Sequence, residues 1–219
     1  MKQLSVILGS LVIAGLAHAD PVNGFGYATQ DGALAVGTAN TTFPFSTFAA
    51  EARGMGSVAV GTGSISGGRH EVYTTAVGTQ STASGDGSIA LGAQSIASGT
   101  MSVGIGTYSN SSGAGSVAIG GSYYDPVTHD QVIASATGDE SVALGYVAKA
   151  TSVNAVAVGA NSLASGEQST SIGANSVASG ARSTVLGSQA NASGANSLAL
   201  GGGSQASDTN SVAIGYRAL

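Results

Sequence analysis

Few side chains in this sequence are equipped for chemistry, and they fall close together. Tyr123, Tyr124, Asp125, Pro126, His129 and Asp130 share one stretch, and Arg69, His70 and Glu71 share another. Asp125, His129 and Asp130 carry oxygen and imidazole donors of the kind that ligate cations. Their spacing matches no recognisable ligand pattern, so a solvated polar loop is the reading preferred and no metal is expected. Serine is abundant, yet neither His70 nor His129 sits where it could activate a nucleophile, and a hydrolase triad has no support. The glycines do not form a phosphate loop, because neither a helix N-terminus nor a lysine follows them. No catalytic residue and no cofactor are expected. Tyr123, Tyr124, His129, Arg69 and His70 remain as candidate contacts to a ligand; for the aromatics the reason is that they bury large area at small entropic cost.

The elements that carry these residues come from composition and repetition. The chain has 219 residues, 35 of them glycine, with no cysteine and no tryptophan. Disulfides and thiolate metal sites are therefore impossible. Six Lys+Arg against eleven Asp+Glu disfavour a nucleic-acid partner. The hydrophobic fraction of 42% and charged fraction of 8% exclude charge-rich disorder. Large side chains that could fill a thick core are scarce.

A unit of the form small–apolar–Ala–aliphatic–Gly recurs, as in Ser57-Val58-Ala59-Val60-Gly61 and Ser211-Val212-Ala213-Ile214-Gly215. Its closing glycine stands at 37, 61, 78, 92, 106, 120, 145, 159, 173, 187, 201 and 215, and eight of the eleven spacings are 14 residues. A second segment, Ser-x-Ala-Ser-Gly, places another glycine seven residues on, as in Ser95-Ile96-Ala97-Ser98-Gly99. Alternation with period two indicates strands, and the glycine content excludes helix. The sequence thus predicts an all-β parallel roll, a solenoid of about twelve 14-residue coils. In every copy the residue before the first glycine is Val, Ile or Leu. This regularity is read as burial, with Ser57, Ala59, Ser88, Ala90, Ser197 and Ala199 facing outward as a small-residue surface for lateral association.

Residues 1–19 read as a signal peptide: Lys2 leads a short apolar stretch, and Ala17-His18-Ala19 offers a small-x-small cleavage site. The apolar stretch is too short to span a bilayer as a helix, so no transmembrane segment is expected. The roll occupies 20–219, with insertions at about 38–53, 62–73 and 121–133. Insertions in solenoids often carry binding. They hold Tyr123 and Tyr124, for which contact and packing weigh equally, and Phe43, Phe45 and Phe48, for which packing is favoured.

The unit Asn210-Ser211-Val212-Ala213-Ile214-Gly215, with Asn196-Ser197-Leu198-Ala199-Leu200-Gly201, resembles the head repeat of YadA-like trimeric autotransporter adhesins. The resemblance covers roughly residues 24–219. It implies a left-handed roll, a homotrimer, display at the bacterial cell surface or outer membrane, and attachment to collagen, fibronectin or cell-surface ligands, with autoaggregation in some members. The stalk and membrane anchor of that family do not follow within this sequence. It reads as an N-terminal fragment of a longer adhesin or as an anchorless, secreted head. The alternatives are a phage or appendage structural solenoid and an ice-binding solenoid. Ice binding would need a flat threonine array, whereas Thr75, Thr170 and Thr184 are scattered among the copies. A hexapeptide-repeat acyltransferase is opposed by the 14-residue period.

Overall fold

The computed structural model describes residues 27–37, 49–67, 72–124 and 131–219. The signal segment, Phe43, Phe45 and Phe48 lie outside these described residues. Each period contributes one three-residue strand and one two-residue strand, as in Ile89–Leu91 and Ile96–Ala97. The longer strands stack into a twelve-stranded parallel sheet running from Leu34–Val36 to Val212–Ile214, and the shorter ones into a second, from Tyr27–Ala28 to Gln205–Ala206. Register is exact between repeats: Val103, Gly104 and Ile105 stand opposite Val117, Ala118 and Ile119. The chain is an all-β solenoid, as the periodicity predicts.

Interior and exterior are the reverse of the sequence expectation. Ala59, Ala76, Ala90, Ala143 and Ala157 in the longer strands are fully buried, together with Ser57, Ser88 and Ser116. The aliphatic residues flanking each alanine point outward: Val58 and Val60 are only half-buried, Leu186 is 49% exposed and Ile214 63%. The small surface expected to mediate association is therefore the core, and the aliphatic positions expected in the core form the outer face. In the shorter strands, too, the small residues are inside, with Ser95 and Ala97 buried and Ile96 outside.

The reason is the narrowness of the coil. A β-carbon added at Gly104 would lie 2.7 Å from the carbonyl oxygen of Ile96 and 3.4 Å from Ser109 Oγ. At this coil even a methyl group would crowd the facing wall, and in the neighbouring coils the inward positions are filled by Ala and Ser. Some inward serines bond locally, Ser95 Oγ donating to the Gly92 carbonyl at 2.9 Å and Ser57 Oγ to that of Gly54 at 2.6 Å, whereas the buried hydroxyls of Ser88, Ser102, Ser109, Ser141, Ser169 and Ser183 make no such bond. Ser111 and Ser116 exchange a hydroxyl hydrogen bond across the interior at 2.6 Å.

Among the described residues Val185 is the largest fully buried side chain, and the facing position in its coil is Ala190, where neighbouring coils carry Ser176 and Ser204. This compensation predicts a measurable coupling. Ala199→Val alone should cost about 1–2 kcal/mol through overpacking, and adding Ser204→Ala should recover much of it. Denaturant unfolding of the two variants and the double variant checks this, and additive losses would exclude the pairing.

Candidate functional site

Three surfaces are available to a partner. The first is the outer face of the longer-strand sheet, where Val36, Val60, Val77, Leu91, Ile105, Ile119, Leu144, Val158, Ile172, Leu186, Leu200 and Ile214 form one column. A parallel column is aliphatic except at Thr75, Thr170 and Thr184. A continuous apolar face of this length is unusual on an isolated soluble chain and marks an association surface.

The second is a hairpin. Tyr123–Tyr124 pairs antiparallel with Gln131–Val132, Tyr123 opposite Val132 and Tyr124 opposite Gln131. The insertion that carries the candidate tyrosines therefore begins and ends as a paired ribbon. Arg69, His70 and His129 lie outside the described residues. Among the described residues no group of three His, Cys, Asp or Glu could hold a metal ion.

The third is the turn edge that precedes each longer strand, and sequence reasoning missed it. There the second turn residue adopts a left-handed conformation in every period with a side chain, from Tyr73 (φ 56°) and Met101 (φ 54°) to Asn196 (φ 57°) and Asn210 (φ 58°). Its N–H donates to the first turn residue of the preceding coil, as in Tyr73 to the Met55 carbonyl at 2.9 Å and Met101 to that of Asp86 at 2.7 Å. The left-handed region costs most side chains about 1–2 kcal/mol, and Gly or Asn relieve it. Three of the C-terminal coils follow that preference with Asn154, Asn196 and Asn210, while Gln168 and Arg182 occupy the same position in the two coils between. Tyr73 and Met101 do not, and they are 67% and 69% exposed. Each lies against a glycine of the coil before it, Tyr73 against Gly56 and Met101 against Gly87. Aligning the copies by their turn positions would have exposed this alternation of glycine and large residue in the sequence.

A shallow depression lined by Thr137, Asp139, Thr151, Ser152, Val153 and Glu167 interrupts the same edge. It lies where Ser152 stands in place of the glycine that closes the second segment in the adjacent coils, as Gly138 and Gly166.

The comparisons with known proteins bear on the whole roll. The profile of the YadA head domain repeat matches residues 48–64, 72–95, 97–122, 136–162, 164–190 and 192–218. The chain belongs to the YadA head family. The matched stretches tile the coils, so the family is carried by the scaffold, and residues 125–130 fall between two of them. The solved collagen-binding domain of the Yersinia adhesin YadA is similar to this YadA-type head at 26% identity over 78% of this chain and 73% of that one, with a TM-score of 0.43. No curated protein matches the chain. A YadA head is an adhesin-type domain, and its family is non-enzymatic in kind. Among the described residues no helix is long and apolar enough to cross a membrane.

Proposed function

We propose that the protein is the head of an exported bacterial adhesin, assembled as a homotrimer through its aliphatic sheet face and attaching to extracellular-matrix proteins or cell-surface ligands. Membership in the YadA head family is the observation that supports this reading most directly. The apolar outer face supports the assembly: among the described residues the outward Val, Ile and Leu of the stacked coils stay partly exposed, and apolar area left in water is costly at about 25 cal/mol per Å². A trimer would cover this face in three symmetric copies and multiply weak contacts into firm attachment. Export follows from the leader read in residues 1–19, and collagen is the first ligand to assay because the solved YadA relative is a collagen-binding domain. Outward threonines are few and scattered, which disfavours the ice-binding alternative.

The adhesion reading is tested by coating surfaces with collagen or fibronectin and measuring retention of the purified protein. Substituting both Tyr123 and Tyr124 by alanine should lower retention about tenfold, as expected for an aromatic contact pair. Undiminished retention would return the hairpin to a structural role. Binding of the wild type to no matrix protein or cell surface would overturn the adhesin assignment itself.

A further inference from the structure

The turn edge between Asp31 and Glu140 alternates charge and apolar groups along the solenoid axis. Counting coils from the N-terminus, the first carries Asp31, the second Met55, the third Tyr73, the fourth Asp86, the fifth Met101 and the seventh Asp139 with Glu140. Asp31, Asp86, Asp139 and Glu140 are all exposed, as are Met55 at 46%, Tyr73 at 67% and Met101 at 69%. The row is held straight by backbone bonds from coil to coil, among them Gly56 N–H to the Asp31 carbonyl, Gly87 N–H to that of Val72, and Gly115 N–H to that of Thr100. Parallel coils stack at about 4.8 Å, so acids three coils apart recur at about 14 Å with apolar side chains between them.

Basic charge is sparse along this edge among the described residues. Arg53, which borders it, is tied to Glu51 by an ion pair, and Arg182 stands one coil beyond Glu167. Asp86 accepts a hydrogen bond from the Val72 N–H at 3.2 Å and Asp139 one from the Ala114 N–H at 2.9 Å, so both carboxylates are oriented on the edge. Glycine occupies the left-handed position in the second, fourth and sixth coils, as Gly56, Gly87 and Gly115, and the side chains of Tyr73, Met101 and Glu140 in the next coil lie against them. The large groups are thereby laid along the edge as a strip.

We propose that this edge, through Asp31, Met55, Tyr73, Asp86, Met101 and Asp139, is a docking strip for an extended basic segment of a secreted polypeptide. The inference rests on the adhesin reading and names the chemistry of its ligand. An extended or polyproline chain advances about 3.1–3.3 Å per residue, so a 14 Å acid spacing calls for Lys or Arg at roughly every fourth or fifth residue, with apolar residues between. Charge complementarity selects such a segment and speeds its encounter, while Tyr73 and the methionines supply contact area.

The test compares two lysine-containing peptides of equal composition, one with lysines at roughly every fourth or fifth residue and one with them contiguous. The spaced peptide should bind the wild-type protein better, with affinity falling as salt is raised. Asp86→Asn with Asp139→Asn should weaken it about tenfold, because two carboxylate contacts are lost while each Asn keeps an oxygen for the Val72 or Ala114 N–H. Met101→Ser, which leaves the acids in place, should also weaken it. Equal binding of the two peptides, or wild-type affinity in the double Asn variant with an unchanged melting curve, overturns the strip. Retention on matrix-coated surfaces is measured in parallel. Undiminished retention of the double variant overturns the strip as the matrix contact and leaves adhesion standing, whereas failure of the wild type to be retained overturns the adhesin reading whatever the peptides do.

Discussion

Replacing Ile105 and Leu144 together by aspartate is expected to convert the assembled protein into monomers. Both residues occupy the outward aliphatic column and are half-buried in the single chain. Their side chains take no part in the Ser/Ala interior, so the roll should keep its strand signature in circular dichroism. In a trimer joined through this face the substitutions would bury six carboxylates without partners. Each buried, unpaired charge costs several kcal/mol, roughly three or more, so the dissociation constant should rise by many orders of magnitude. Sedimentation equilibrium reads the outcome directly. Asn110→Asp, on the outward face of the other sheet, is the control and should leave the assembly intact. A wild-type protein that sediments as a monomer at micromolar concentration would remove the trimer proposal, and so would a double variant that stays assembled.

The second large effect is expected inside the stack. A β-carbon at Gly180 would overlap the carbonyl of Gly194 in the next coil. That carbonyl cannot easily move, because it accepts the Ser197 N–H at 3.3 Å and Ser197 Oγ at 2.7 Å. At the other turn, a β-carbon on Gly159 (φ 128°) would stand 2.6 Å from the Gly173 oxygen, so backbone conformation and stacking both require glycine there. Gly180→Ala should therefore destabilise by about 3 kcal/mol and lower the melting temperature by roughly 6–12 °C for a chain of this size.

Position 152 is the natural contrast. Ser152 occupies the place equivalent to Gly180, and its Oγ donates to the Ser165 carbonyl at 2.6 Å beside the depression described above. Ser152→Gly should change the melting temperature by no more than about 2 °C. Equal effects at the two positions would show that the coils separate freely, contrary to the stacking account.

Much of this architecture was legible because a repeat writes its geometry many times over. The glycine beat located both turns, the period-two alternation located both strands, and the interruptions marked where the chain leaves the roll. The error over the longer strand has a specific cause. Val, Ile and Leu at every copy signal a constrained environment, and burial is the usual constraint. Here the constraint lies on the outer face, where two outward residues flank each inward alanine. The turn edge went unread for a related reason. Met55, Asp86 and Met101 belong to different copies, and only stacking places them in one row. Tyr123 and Tyr124 were identified by type and by insertion, and the structure adds that their backbone is paired with Gln131–Val132.

The sequence by itself determined the period, the pair of strands in each coil, the parallel stack and the family, because each depends on local propensity repeated at a fixed spacing. Which side of the longer strand faces inward was decided by tertiary structure. Alternation defines two faces without saying which is enclosed, and the choice depends on the distance between the walls of a closed coil. That gap admits Ala and Ser, with Val185 accommodated where Ala190 gives way. The aliphatic residues are therefore turned outward.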